Sequence, residues 1–380
     1  MRMERPAPPQ VLDAIRAPFA EAGATALDAP ILQPLGLLLD LAGEGLRERL
    51  FVVQGDGAAE EALRPDFTIP AVRAFIDSDK PIGRYSYEGH AYRVAPRGSD
   101  RAEQFLQIGL EVFEAGDATG SDAEIAAMAW RAAAAGGRDD LTLLMGDVGL
   151  FGAFIDSLDL AAPLAGRLKR AFGSPRRLRA ELDGSAESER SATGRSGERL
   201  AGLLTNLPES EATAVLEEVW ALAGIEPVGG RSASEIVHRL AERAALARAT
   251  RLSEEQAQLI RRFLAISDSP REAFAAVALL GGAGRRELEA ALGAWAKRLD
   301  ALRAEGVPAD RIRFSAAFGR NFGYYDGMLF EVRSAALPDD QPVAAGGRYD
   351  GLPARLGARL AAGAVGCMVR PARAWAGGRP

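Results

Sequence analysis

Between residues 104 and 114 the chain reads Gln-Phe-Leu-Gln-Ile-Gly-Leu-Glu-Val-Phe-Glu, and its alternation separates polar from apolar side chains. Leu106, Ile108, Leu110 and Val112 share one side of a strand, and Gln107, Gly109 and Glu111 share the other, because strand side chains point alternately to opposite faces. The apolar side must cover a core. The other presents an amide, a gap and a carboxylate, and a glycine inside a strand often marks close approach by a ligand or another backbone. A sheet with one solvated face gives the same alternation without any ligand, and it is the commoner arrangement. The preceding segment shifts that balance. Gly83–Arg93 also reads as extended, and Ala95–Glu103 is a loop holding Pro96, Gly98, Asp100 and two arginines. Together they form a long hairpin with Arg93 at its turn edge, where a guanidinium fork can pair with two oxygens of a carboxylate or phosphate.

Two further runs combine glycines with aromatics: Arg320-Asn321-Phe322-Gly323-Tyr324-Tyr325-Asp326-Gly327 and Ala345-Gly346-Gly347-Arg348-Tyr349-Asp350-Gly351-Leu352. Each alone is a turn. The elements that must position these groups divide by texture. Residues 1–157 and 285–380 mix short alternating strands with helices, whereas 158–284 reads as helix after helix: Ala162–Ala171, Arg176–Leu182, Arg199–Thr205, Glu209–Ala223, Ala233–Thr250, Glu254–Leu264 and Pro270–Leu280. Ser253 is an N-cap before Glu254-Glu255, and Ser185–Gly197 reads as a mobile loop. Helices at 121–135 and 287–304 are amphipathic and should cover the sheet. The expectation is an α+β fold in which both ends of the chain build one core and an all-helical insertion interrupts it.

A chain of 380 residues exceeds what one core usually serves. Apolar residues at 48% and charged residues at 26% make an ordinary globular mixture. The lone Cys367 excludes an internal disulfide framework and a cysteine-cluster zinc site, so a reducing cytosol is the simplest compartment. No segment approaches the ~20 uninterrupted apolar residues of a membrane span. Lysine is nearly absent (Lys80, Lys169, Lys297), and the net charge of −6 argues against a nucleic-acid partner. His90 and His238 lack metal-ligand spacing, and Cys367 reads as a small buried apolar group.

In this order and this near the C-terminus, the two glycine–aromatic runs resemble the histidine-reading signatures of histidyl-tRNA synthetases and their non-synthetase relatives. The hairpin resembles motif 2 of class II aminoacyl-tRNA synthetases, with Arg93 at the strand arginine. Pro30-Ile31-Leu32-Gln33-Pro34 is similar to motif 1, the dimer element, and Leu63–Thr68 to the loop that binds the amino acid's ammonium, with Asp66-Phe67-Thr68 in place of Glu-Gly-Thr. Ala364–Arg373 stands where motif 3 should be. The resemblance implies a mainly antiparallel class II sheet flanked by helices. It implies that Glu111 and Tyr325, with Tyr324 beside it, face the imidazole of histidine. Asp66, Thr68 and Gln107 would hold the ammonium, and Arg320, with Arg93 second, the carboxylate. The departures lie on the nucleotide side. Arg370 replaces the motif 3 glycine and Pro371 follows, Ala95 replaces a motif 2 glutamate, and too little chain follows motif 3 for an anticodon-binding domain.

A histidine pocket without an ATP site resembles the family of regulatory subunits of ATP phosphoribosyltransferase. That resemblance implies a non-catalytic chain without cofactor or metal. It would pair with a short-form catalytic subunit at the first step of histidine biosynthesis, take part in feedback control by L-histidine, and form a homodimer through Pro30–Pro34 inside a larger hetero-oligomer. A histidine-activating, adenylate-forming enzyme and a free-standing histidine sensor are the alternatives.

Overall fold

The computed structural model describes residues 1–42, 44–54, 60–183, 211–215, 217–218, 252–282, 284–319, 323–359 and 363–378. The chain divides into two compact units, Met1–Ser157 with Arg262–Pro380, and Leu158–Arg261. The expected helices Arg199–Thr205 and Ala233–Thr250 and the expected loop Ser185–Gly197 lie outside the described residues, as does most of Glu209–Ala223.

The first unit carries two sheets. Its strands are β1 (Thr25–Ala26), β2 (Leu32–Pro34), β3 (Val52–Val53), β4 (Glu61–Leu63), β5 (Gly83–Tyr92), β6 (Gln104–Glu114), β7 (Leu141–Asp147), β8 (Ser267–Asp268), β9 (Ile312–Ser315), β10 (Met328–Ser334), β11 (Ala344–Arg348) and β12 (Gly363–Val369). Nine of them form one sheet in the order β1-β5-β6-β12-β11-β10-β7-β9-β8, and β2-β4-β3 form a small second sheet. Among the described residues only β1 with β5 and β7 with β9 pair parallel as strands, and the other strand pairs are antiparallel. The sheet joins the two ends of the chain, since β12 lies between β6 and β11. This is the α+β core that the residues predict, with the mainly antiparallel sheet that the class II resemblance implies.

The predicted face split of β6 holds, but neither face meets solvent: every residue from Gln107 to Phe113 is buried. On the Leu110 and Val112 side of the sheet the helix Ala118–Ala134 packs on β12, β11 and β10, and its start is capped by Asp117 accepting from the Thr119 N–H. Its inner side is mostly alanine, which lets helix and sheet approach closely. A second helix, Arg286–Ala304, packs on the first and buries Leu288, Trp295, Leu299 and Leu302 at helical spacing. The opposite face of β6 is covered by the helices Leu35–Ala42 and Thr68–Asp77 through a cluster that includes Leu38, Val72, Phe75, Phe113, Tyr324 and Tyr349.

Residues 262–284, read from texture as part of the insertion, group with the first unit. β8 is a strand in that supposedly helical stretch, and the helix Pro270–Gly281 packs on β8, β9 and Arg286–Ala304. In the second unit, Ala162–Ala171 packs on Pro175–Leu182, burying Leu164, Leu168 and Leu178. The helix Glu254–Leu264 begins with a reciprocal cap: Ser253 Oγ accepts from the Gln256 N–H at 3.1 Å, and Gln256 Oε1 from the Ser253 N–H at 3.0 Å. No helix among the described residues is long and apolar enough to cross a membrane.

Candidate functional site

Phe105, Gln107, Gly109 and Glu111 follow one another along a single face of β6, so about 20 Å separates the first from the last at the usual strand rise. At the Glu111 end the carboxylate is 2% exposed and surrounded by hydroxyls. Thr68 Oγ donates to Glu111 Oε1 at 2.8 Å, the Tyr349 hydroxyl donates to Oε2, and the Tyr87 hydroxyl lies 3.5 Å from Oε1. The carboxylate occupies the space over Gly366, its cross-strand partner, where an added Cβ would lie 1.5 Å from Glu111 Oε2. Burial pushes the Glu111 carboxyl up to about 8, against the pull of the Tyr349 and Thr68 hydroxyls.

Asp66 sits just before the helix Thr68–Asp77 and accepts from the Tyr324 hydroxyl at 3.5 Å. Burial raises its carboxyl too, while Arg93 and the N–H groups of Thr68 and Ile69 draw it back down. Three tyrosine rings close this end: Tyr324 lies 4.8 Å from Tyr325 and 5.9 Å from Tyr349, centre to centre. The structure thus brings Asp66, Thr68, Glu111, Tyr324 and Tyr325 together. Gln107 is on the same face, 1% exposed, and among the described residues both its amide atoms lack a hydrogen-bond partner. Arg320 lies outside the described residues.

Two expectations change in detail. Thr68, assigned by resemblance to an ammonium, is turned onto Glu111. Gly109 leaves no gap for a ligand: a Cβ there would meet the Tyr87 ring and the Cys367 carbonyl, both at 2.4 Å. The close approach that a strand glycine signals is made by this protein's own groups. Tyr87 and Tyr349 were missed as site residues. Their signals were present, since Tyr87 faces Gly109 across the hairpin as a large–small pair, and Tyr349 stands inside the second glycine–aromatic run.

The two runs lock to one another. Asp326 accepts from the backbone N–H of Gly351 at 2.7 Å and of Asp350 at 3.0 Å. Within the second run the neighbouring side chains go opposite ways: Arg348 reaches through to Asp122 at 2.7 Å and Ser121 at 2.8 Å, and Tyr349 turns to Glu111. Gly346 and Gly347 have no room for a Cβ, which would meet the Gly366 and Met328 carbonyls at 2.2 and 2.7 Å.

At the Phe105 end of the face the chemistry inverts. A cavity of about 630 Å³ opens there, with Arg93, Arg370 and Arg373 among its lining. Arg93 donates to the Pro65 carbonyl at 2.8 Å and faces the Phe105 ring at 5.4 Å. The Arg370 guanidinium lies 3.7 Å from the centre of the same ring and pairs with Glu4, which also holds Arg373 at 3.3 Å. The arginine that replaces the motif 3 glycine therefore takes the aromatic surface at this end of the site.

Residues 9–219 and 212–371 match the histidyl-tRNA synthetase family. A protein of Mesorhizobium japonicum described as ATP phosphoribosyltransferase regulatory subunit is 37% identical over 357 residues, covering 92% of each chain. One of Agrobacterium fabrum with the same description is 35% identical over 351 residues, covering 92% of this chain and 91% of its own. Among solved structures, a Bacillus halodurans protein described as ATP phosphoribosyltransferase regulatory subunit/histidyl-tRNA synthetase superposes with a TM-score of 0.63 at 19% identity, over 97% of this chain and 78% of its own. The class II fold, the paired glycine–aromatic runs and the extent of these matches converge: the chain belongs to the ATP phosphoribosyltransferase regulatory subunit family, on the histidyl-tRNA synthetase fold.

Proposed function

We propose that this chain is a non-catalytic regulatory subunit of a short-form ATP phosphoribosyltransferase, acting at the first step of histidine biosynthesis, and that L-histidine bound around Glu111 takes part in feedback control. The observation that carries the ligand reading is Gln107. An amide with 1% exposure and no partner for either end among the described residues is costly unless something else satisfies it. It lies on the same face of β6 as Glu111, whose carboxyl cluster is suited to an ammonium and an imidazole. Glu111, held by Thr68, would face the ring with Tyr324 and Tyr325, Asp66 and Gln107 the ammonium, and Arg320, with Arg93 second, the carboxylate. Control of a partner requires that histidine bind two states of the complex with different affinity.

The non-catalytic reading is supported by Arg370, a large side chain at the motif 3 glycine position whose guanidinium packs on the Phe105 ring, and by the names of the relatives. Self-association through motif 1 is supported by the small sheet, where Ile31 and Leu32 are 49% and 40% exposed beside the exposed Val52 and Val53. A cytosolic location agrees with the free, buried Cys367.

Mixing the purified chain with the catalytic subunit tests the reading. Phosphoribosyl transfer should rise in the mixture, be absent from the chain alone, and fall on adding histidine. Histidine-dependent ATP–pyrophosphate exchange by the chain alone would replace this reading with the adenylate-forming one. Failure to stimulate the catalytic subunit, with histidine still bound, would favour a free-standing sensor.

A further inference from the structure

We propose that the site around Glu111 reads the charge of its ligand's ring: Glu111 keeps a proton and donates it as a hydrogen bond to the bare nitrogen of a neutral imidazole, while Asp66 alone stays ionised and answers the ammonium. The proposal rests on histidine binding at Glu111, and it makes that binding a function of pH.

The two carboxyls are both buried, at 2% exposure for Glu111 and 7% for Asp66, but their surroundings differ in kind. Asp66 feels the positive charge of Arg93 and the N–H groups of Thr68 and Ile69, which favour its ionised form. Its Oδ1 is buried without a hydrogen-bond partner among the described residues, which leaves an acceptor for a cation. Glu111 has no cation in contact among the described residues. The elements around it present neutral groups: Tyr87 on β5, Thr68 at the start of its helix, and Tyr349 in the second glycine–aromatic run. Burial holds the hydroxyls of Tyr87, Tyr349 and the nearby Tyr324 well above the ordinary tyrosine value, and it pushes the Cys367 thiol on β12 up, so all of these stay protonated. The Tyr87 hydroxyl has a nearer acceptor than Glu111, the Cys367 carbonyl at 3.3 Å against 3.5 Å. The negative charge acting on Glu111 is that of Asp66, which opposes a second one beside it.

An ionised Glu111 would be a buried charge without a counter-ion, so the carboxyl holds its proton up to about 8. A neutral imidazole has one N–H and one bare nitrogen, and the bare nitrogen is the match for a carboxylic acid. Below about 6.5 the free ring carries a second proton and must shed it to enter. Above about 8 the free site has lost its own proton and must regain one. Histidine therefore binds best between these two limits, where ring and carboxyl together already hold the proton that the complex needs.

Calorimetric titration of the full chain with histidine, repeated across pH in two buffers of different ionisation enthalpy, counts the protons exchanged. Between about 6.5 and 8 the native chain should exchange close to none. Above about 8 its affinity should fall about tenfold more per pH unit than that of Glu111→Gln, whose amide offers an N–H at every pH. There the native chain should also take up about one more proton per histidine than the variant. Asp66 and the ligand's amino group titrate in both proteins, so the difference belongs to Glu111. Equal proton uptake by the two proteins overturns the proposal. So does release of about one proton by the native chain near neutral pH, with binding that tightens as pH rises, because Glu111 would then bind as a carboxylate; this second measurement needs no variant. No histidine binding at any pH overturns the ligand reading itself, and this proposal with it.

Discussion

Two buried polar clusters lie back to back across the same sheet, built on opposite terms. On the side of the Ala118–Ala134 helix, Asp122 accepts from Arg298 at 2.9 Å and Arg348 at 2.7 Å, and Asp147 accepts from the Trp295 indole at 2.7 Å. Burial pushes the Asp122 carboxyl up and the two arginines pull it back. On the other side Glu111 meets only hydroxyls, and Gln107 meets no partner among the described residues. In the first cluster opposite charges answer one another and tie a strand to two helices. In the second, carboxyls and an amide stand with no cation in contact with Glu111 among the described residues. Buried polar groups that answer each other report on architecture; those that do not report on a ligand.

The largest effect expected is in the first cluster. Asp122→Ala leaves Arg298 and Arg348 buried without their shared carboxylate and should cost about 3–5 kcal/mol in denaturant unfolding. A loss near zero would remove the claim that this cluster is architectural. Across the sheet, Glu111→Gln should change how stability depends on pH. The folded carboxyl is raised from 4.5 to about 8. The folded state therefore holds a proton that the unfolded chain releases, and its contribution is full below 4.5 and lost as pH rises through about 8. In that window native stability should fall by up to about 1.4 kcal/mol per pH unit from this group. Melting curves of the Gln variant should be flatter over the same range; identical curves would place the titration elsewhere.

Smaller effects sharpen the contrast. Glu111→Ala should weaken histidine by about 1–3 kcal/mol in calorimetry, the usual cost of an unpaired buried partner. It should leave the fold intact, because Leu110 and Val112 carry the other face. Gln107→Leu should change stability by no more than about 1 kcal/mol in either direction, since no protein bond among the described residues is lost, while histidine binding disappears. A large destabilisation by Gln107→Leu would mean that its amide has a partner in the protein and that the two clusters are alike.

The sequence placed most of the carboxyl end. Alternation alone put Gln107 and Glu111 on one face, and the order of short motifs brought Asp66, Thr68, Tyr324 and Tyr325 to the same place. It did not find Tyr87, because a tyrosine in a strand is an ordinary packing residue until its cross-strand partner is known to be Gly109. The second domain boundary was set too late, because the texture of residues 262–284 is helical apart from the two-residue strand β8.

What the sequence determined by itself was everything carried by near neighbours along the chain: strand period, helix starts, the turns of the glycine runs, and through their order the family. The tertiary structure decided which distant groups meet. Tyr349 reaches Glu111 across 238 residues and Arg348 reaches Asp122 across 226, though the tyrosine and arginine are adjacent in the chain. Arg370 could be read as an obstruction to a nucleotide, but its place on Phe105 and its pairing with Glu4, 366 residues away, could not. Such partners are chosen by sheet order and packing, which depend on the whole chain, and local pattern carries no record of them.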